Sequence, residues 1–340
     1  MALPLSGVPL VIGHRGASGH RPEHTLASYE LAARMGADLI EPDLVPTRDG
    51  VLVARHENDI TGTTDVAEHP ELADRRTTKV VDGTEVTGWF TEDLTLAELK
   101  TLRAVERLPR VRPGNTEYDG LFEVPTFAEI LALRERLSAE LGREVGVYPE
   151  TKHPSYFAGI GLALEEPLVA ALAEHGLNRP DAPVFVQSFE LANLADLRHR
   201  LGLRTRSIFL LEGSGSPHDP VVAGESLREV VRAGVDGIGP DLTMVLSRRP
   251  DGSCGQDTGL VERAHRAGLL VHPWTFRAEN TFLLTDFRVG DDPGAHGDLA
   301  GQISAFLQVG VDGFFTDHPD VGAAAVQAWE AHTEEQRPNG

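Results

Sequence analysis

Short apolar runs of strand length alternate with amphipathic stretches of helical period along the whole chain. The runs Leu10–Gly13, Leu39–Asp43, Val145–Glu150, Val184–Ser188, Ser207–Leu211, Asp236–Gly239, Leu269–His272 and Gly313–Thr316 predict eight main strands. A further run, Val51–His56, follows the second. Between them, Thr25–Met35, Thr126–Leu141, Leu162–His175, Leu191–Leu201, Leu227–Ala233, Leu260–Ala267, Gly297–Val309 and Asp320–Thr333 predict helices. Thr126 with Glu129, and Thr95 with Glu98, have capping-box spacing. Alternating strands and helices imply an α/β fold with a parallel sheet and helical crossovers. Eight strands over a repeating unit of about 250 residues fit a closed (β/α)8 TIM barrel better than an open doubly wound sheet. No GxGxxG or P-loop pattern follows a strand, which counts against nucleotide binding.

The rhythm breaks from residue 57 to residue 121, a stretch rich in Thr, Asp, Glu and Arg. It predicts one helix over Thr95–Val105 and a Pro/Gly loop over Pro109–Asp119. A stretch this long inside a compact fold usually has its own structure and purpose. It is read as an insertion after the second strand region, over the mouth of one catalytic domain spanning residues 1–340. A second irregular stretch, Arg277–Ala295, follows the seventh strand and is expected to line the same mouth.

Composition narrows the partners. With 52 Asp plus Glu against 31 Lys plus Arg, the formal charge is -21. That disfavours nucleic acid and stable association with an anionic membrane, both of which need basic surface. No run approaches membrane-spanning length. The N-terminal MALPLSGVPLVIGHRG has no basic region before its apolar residues and does not read as a signal peptide. The single cysteine, Cys254, excludes an internal disulfide and a cysteine-built zinc site. Lysine occurs only three times, at Lys79, Lys100 and Lys152, so a lysine inside a polar motif stands out.

Barrel enzymes carry their chemistry at the C-terminal strand ends, and the unusual polar residues fall there. They are His14-Arg15, Glu41-Pro42-Asp43, Arg55-His56, Glu150-Thr151-Lys152, Gln187-Ser188, His272-Pro273-Trp274 and Thr316-Asp317-His318. Glu41 and Asp43 are two apart on a strand and so share a face. Glu150 on a neighbouring strand completes a three-carboxylate cluster, whose repulsion a hard divalent cation with oxygen ligands would relieve. Each acid alone would as readily cap a helix or pair with an arginine; the conjunction of three is what argues for a metal. His14 and His56 are the acid/base candidates, one ring neutral and the other protonated near neutral pH. His20, His69, His175, His199 and His332 sit in polar or helical settings with no visible partner. Arg15 suits bidentate phosphate recognition, and Lys152 would add a second positive charge. Trp274 would stack on substrate or serve packing alone.

The segments Gly13-His14-Arg15-Gly16, Pro22-Glu23-His24-Thr25, Glu41-Pro42-Asp43, Thr47-Arg48-Asp49-Gly50 and His56 resemble the glycerophosphodiester phosphodiesterase family. Glu150-Thr151-Lys152, Gln187-Ser188-Phe189, His272-Pro273-Trp274, Gly310-Val311-Asp312-Gly313 and Thr316-Asp317-His318-Pro319 follow in that family's order. The resemblance covers residues from about 10 to about 320. His24, where many members have Asn, and the long segment after His56 resemble the periplasmic or secreted bacterial branch. The resemblance implies one divalent cation, Ca2+ or Mg2+, on Glu41, Asp43 and Glu150. It also implies His14 and His56 as acid/base catalysts, and Arg15 with Lys152 on the phosphate of a small-molecule glycerophosphodiester. Deacylated phospholipids such as glycerophosphocholine or glycerophosphoethanolamine are the implied substrates, and a secreted or periplasmic location is implied, with a cytoplasmic one left open. Glu23 is placed behind the site, and Asp317 is read as structural, closing the barrel.

Two other readings share these residues. A phospholipase D-like or sphingomyelinase-like barrel has the same His and carboxylate layout but acts on acylated lipids, which calls for an exposed apolar or basic patch. A non-catalytic glycerophosphodiester-binding module needs no acid/base pair, so the two histidines beside three acids count against it.

Overall fold

The computed structural model of the protein describes residues 7–213 and 226–335; the first six residues, read above with the N-terminal segment, lie outside them. All eight expected strands form and run parallel. They are Leu10–His14; Leu39–Glu41 resumed past Pro42 as Asp43–Pro46; Gly146–Val147 resumed as Glu150–Thr151; Phe185–Ser188; Arg206–Leu211; Gly237–Pro240; Leu270–Val271; and Gly313–Thr316. Neighbours pair in chain order. The seventh and eighth strands meet through Asp312 N–H donating to Val271 O and Phe315 N–H donating to Pro273 O. The eighth pairs with the first, Gly13 opposite Thr316, so the sheet closes on itself.

Side chains alternate in and out along each strand. Leu10, Ile12, Leu39, Tyr148, Phe185, Ile208 and Phe315 point inward and pack as one cluster. Tyr148 stacks on Phe185 at 5.1 Å between ring centroids and meets Phe315 edge-on at 5.0 Å. The outward-facing Val11, Ile40, Val147, Val186 and Ile238 pack with the helices in a second, larger cluster. Gly13 faces the helix Leu26–Arg34, where a Cβ would come within 2.9 Å of the Ala32 methyl.

Helices begin where their caps predict. Thr25 accepts from Ser28 N–H, and Thr126 forms a capping box with Glu129 at the start of Phe127–Leu141. The Thr95–Glu98 box also forms, but its helix covers only Leu96–Leu99. The expected continuation to Val105 is lost to tertiary pairing: Arg103 N–H donates to Asp65 Oδ1 and Ala104 N–H to Phe122 O. The run after the second strand becomes Leu52–Ala54, antiparallel to Asp43–Pro46.

Residues 57–121 hold an antiparallel hairpin, Thr77–Val81 with Thr84–Gly88, several short 3-10 segments and the short helix. Ile60, Val66, Trp89, Leu94 and Leu102 from this stretch join the same apolar cluster as Val53 and Phe127 beneath. No helix among the described residues is long and apolar enough to cross a membrane.

Candidate active site

A cavity of about 880 Å³ opens at the C-terminal end of the barrel. His14, Arg15, Glu41, Asp43, His56, Glu150, Lys152 and Trp274 all line it, so the structure brings every expected site residue to one place. Strand register does this. His14 lies opposite Glu41, Asp43 opposite Glu150, and Glu150 opposite Gln187. The interior parity simply continues past the apolar filling: Leu10 and Ile12 lead to His14, Leu39 to Glu41 and Asp43, and Tyr148 to Glu150 and Lys152.

Glu41, Asp43 and Glu150 are all buried and present oxygen atoms within 4.8 Å of one another. Glu41 accepts from Arg15 N–H at 2.7 Å and from Gln187 Nε2 at 3.1 Å. Asp43 Oδ2 takes His24 Nε2 at 2.9 Å, while Asp43 Oδ1 is buried with no partner. Burial and the Asp43 charge push Glu41 well above the usual carboxylate range. Burial likewise pushes Glu150 up to about 8, against the pull of Lys152. Asp43 stays well below that range despite burial, because His24 and Lys152 favour its charge. Three oxygen donors, one of them orphaned, in a pocket that resists three negative charges, suit a hard divalent cation.

Arg15 adopts a left-handed backbone, φ 58°, with Gly16 following at φ 91°. A Cβ on Gly16 would collide with Ser28, so this turn needs glycine. The turn aims Arg15 N–H at Glu41 while the guanidinium meets Glu23 at 2.9 Å and lies 3.5 Å from Asp43. Glu23 thus stands behind the site, as expected, and also takes Arg107 at 3.1 Å.

The two histidines face the cavity with one nitrogen each beside a carboxylate. His14 Nδ1 lies 2.6 Å from Asp317 Oδ1, and His56 Nδ1 lies 2.6 Å from Glu57 Oε1. Asp317 thus touches a cavity-lining histidine while itself lying behind the cavity wall. Burial is opposed by Arg112 and Arg277, and Asp317 is held well below the carboxylate range. Burial and then Arg15 lower His14 to about 4, and the same two causes with Lys152 lower His56. Both shifts favour the neutral ring near pH 7. The expectation of one protonated ring reckoned with the histidines alone and not with the cations beside them.

Lys152 Nζ pairs with Glu150 at 2.9 Å and reaches His56 Nε2 at 3.5 Å. Trp274 anchors its indole N–H on Gly239 O at 2.8 Å and meets Phe189 edge-on at 5.8 Å, which leaves it half-buried on the cavity wall. Among the lining residues that the sequence did not mark are Arg107, Arg277, Glu57 and His153. Of the stretch Arg277–Ala295, only Arg277 reaches the cavity, and Arg107 comes from residues 57–121. Nothing in local sequence distinguishes these two arginines from the other arginines of the chain.

A second cluster, Glu279, His296 and His318, brings ligand atoms within 4.8 Å outside this cavity. Ala278 N–H donates to His318 Nδ1 at 3.3 Å, so the ring proton sits on Nε2, the only nitrogen that could reach a shared ion. Arg112 already holds Glu279 at 2.5 Å. Of the three, Glu279 supports Arg112, while His318 packs edge-on against His296 with its Nε2 buried and unpartnered.

The sequence profile of the glycerophosphoryl diester phosphodiesterase family matches residues 14–321. A glycerophosphodiester phosphodiesterase of Arabidopsis thaliana (GDPD6) is 34% identical over 326 residues, 91% of this chain and 83% of that protein. A Bacillus subtilis glycerophosphodiester phosphodiesterase is 31% identical over 317 residues, 92% of this chain and 84% of that protein. The fold matches a solved Silicibacter pomeroyi protein described as a putative glycerophosphoryl diester phosphodiesterase, with TM-score 0.68 and 22% identity, covering 95% of this chain and 94% of that one. It also matches an Oleispira antarctica phosphodiesterase solved with the product sn-glycerol-3-phosphate, with TM-score 0.60 and 22% identity over 95% and 98% of the two chains. With a closed barrel, one polar cavity at its catalytic end and relatives aligned over nearly its full length, this chain belongs to the glycerophosphodiester phosphodiesterase family.

Proposed function

We propose that the protein hydrolyses deacylated phospholipids, with glycerophosphocholine and glycerophosphoethanolamine as the substrate class, by proton transfer through His14 and His56. The observation that carries this reading is the pair of cavity-facing imidazoles, each with Nδ1 against a carboxylate, flanking a buried cluster of three acids and Arg15. The hydrogen bond between His14 Nδ1 and Asp317 fixes that tautomer, with Nε2 as the basic nitrogen, and the Glu57 charge beside His56 Nδ1 favours the same one. One ring takes the proton of the attacking hydroxyl, either water or the neighbouring glycerol oxygen, and the other supplies a proton to the departing alkoxide. A neutral donor ring acquires that proton when an anionic phosphate arrives and offsets the field of Arg15 and Lys152. Arg15 and Lys152 bind and orient the phosphoryl oxygens, and Phe189 with Trp274 excludes water from one wall. The divalent cation, Ca2+ or Mg2+, would be held by Glu41, Asp43 and Glu150 and supplies charge neutralisation at the phosphoryl oxygens.

A zwitterionic head group suits the outer rim, where Glu57, Asp82, Glu190 and Glu212 gather. A turnover assay on glycerophosphocholine, with choline and glycerol phosphate quantified separately, tests the reading; binding without product would leave a binding module instead. The product seen with the Oleispira relative supports glycerol phosphate as one product. The secreted or periplasmic location belongs to the same proposal, and fractionation of the source cells for this activity tests it.

Arg15 lends itself to a direct test. Arg15→Lys keeps a positive charge but loses the fork shared between Glu23 and Asp43, and it should lower kcat/KM by roughly 10-fold to 100-fold. Unchanged kinetics would take Arg15 off the phosphate.

Residues 57–121 are proposed as an inserted cover over the mouth. In support, Asp82, Thr84 and Arg107 line the cavity. Exchanging the stretch for a short linker should leave a barrel with weaker KM and a lower melting temperature, since the exchange uncovers Val53 and Phe127. Circular dichroism and steady-state kinetics read both effects, and outright failure to fold would make the stretch part of the core.

A further inference from the structure

Four non-glycine residues among those described hold left-handed backbone: Arg15, His24, Asp82 and His153. Such residues persist where surrounding structure over-determines them, often at functional sites. Arg15 and His24 meet the acid cluster directly. Asp82 and His153 meet each other. Asp82, φ 47°, opens the two-residue turn Asp82-Gly83 of the hairpin, and its Oδ2 lies 2.5 Å from His153 Nδ1. His153, φ 46°, follows Lys152 and precedes the short helix Pro154–Gly159.

The other nitrogen of His153, Nε2, lies 3.1 Å from Glu57 Oε2, and Glu57 Oε1 lies 2.6 Å from His56 Nδ1. An imidazole that donates from both nitrogens carries two ring protons and is cationic. Burial works against that charge, and the hydrogen bonds to Glu57 and Asp82 overcome it and raise the His153 pKa. A chain of contacts therefore runs from the hairpin tip to the cavity as Asp82, His153, Glu57, His56, the first two links hydrogen bonds and the last a charge approach in which His56 Nδ1 makes no hydrogen bond. On its far side, His56 Nε2 faces Lys152 Nζ at 3.5 Å, and Arg15 and Asp43 act on the same ring through their charges. The φ of Asp82 is the one an Asp-Gly hairpin turn demands, so the backbone that this contact itself makes unusual is that of His153.

We infer that Asp82 and His153 are positioning residues for His56: they clamp Glu57 so that its charge stays beside His56 Nδ1 and favours a proton there, with Nε2 turned to the cavity. This rests on the proposed role of His56. It also gives residues 57–121 a part in catalysis, because Asp82 reaches the site only when the hairpin is docked. The imidazolium of His153 offsets the charge of Glu57, so losing it leaves that charge to act undivided on His56.

The test follows kcat and KM for glycerophosphocholine against pH in His56→Asn, His153→Gln and Asp82→Asn, and in the last two combined with Glu57→Gln. His153→Gln and Asp82→Asn should each lower kcat by roughly 10-fold while KM moves by less than about 3-fold, as for losses behind a ligating or catalytic histidine. The acid limb of kcat should move to higher pH in both. In the Glu57→Gln background neither change should add a further loss. His153→Arg, which keeps the charge and two donors, should return the acid limb toward that of the parent. Asp82 is about half exposed and asparagine accepts φ > 0, so Asp82→Asn keeps the test alive should the His153 variant not fold. Unchanged kcat and pH limb, losses that repeat in full in the Glu57→Gln background, or an effect confined to KM would each overturn the inference. Near-normal turnover of His56→Asn would instead remove the role of His56 on which it stands.

Discussion

Alanine at His14 or at His56 should lower turnover of glycerophosphocholine by at least about a hundredfold with the fold intact, since positioned proton transfer contributes roughly 10²–10⁴-fold. Each ring lines the cavity, and of the two His14 meets the apolar filling of the barrel, edge-on at Phe315. His14→Ala also strips Asp317 of its imidazole, but Arg112 and Arg277 still neutralise that carboxylate, at 2.6 and 3.0 Å. The loss should therefore fall on kcat, with a melting temperature close to that of the parent. His175→Ala, just past the end of the helix Glu165–Glu174 and remote from the cavity, should leave both unchanged. Near-normal turnover of either cavity variant would take that histidine out of the mechanism.

Chelation of divalent cations should abolish turnover, and Ca2+ or Mg2+ added back should restore it. The acid cluster gives the physical reason. Burial and mutual repulsion keep Glu41 and Glu150 partly protonated, Glu150 up to about 8, so at neutral pH the cation has a proton to displace. Calorimetric titration at pH 7 should register proton release, seen as heats that differ between buffers of different ionisation enthalpy. The raised carboxyl also fixes a sign for stability. Between the ordinary carboxylate range and about 8 the Glu150 carboxyl of the folded, metal-free state holds more proton than in the unfolded chain, so the contribution of this group to stability falls as pH rises through that window. Bound cation should remove that slope and add about 2.7 kcal/mol at a free concentration near a hundred times Kd. Glu150→Gln should shrink reactivation and thermal stabilisation together, because it removes one charge with almost no change of shape. Full activity in exhaustively chelated protein would leave the phosphate to Arg15 and Lys152, with the acids purely structural.

The three acids and two histidines were legible because they continue an alternation already visible in the strands. The same parity reaches Gln187, Asp317 and Phe189, which follow Phe185 and Phe315 at intervals of two. A stricter reading of that period would have placed Asp317 beside the site. Arg107 and Arg277 carry no such mark, since they arrive on irregular segments whose direction depends on what they pack against. The helix expected over Thr95–Val105 shows the same limit from the other side. Its capping box formed, and tertiary hydrogen bonds to Arg103 and Ala104 ended it after one turn.

By itself, then, the sequence determined the barrel, its eight strands and the residue types waiting at their ends, because strand period, helix caps and the grouping of acids are local properties. Only the tertiary structure decided the protonation of the histidines, the role of Asp317 and the contact of the hairpin tip with His153. Those depend on burial and on charges brought together from segments far apart in the chain, such as Arg112 against Asp317 and Asp82 against His153. Electrostatic energy varies with distance and desolvation in space, and a one-dimensional pattern records neither.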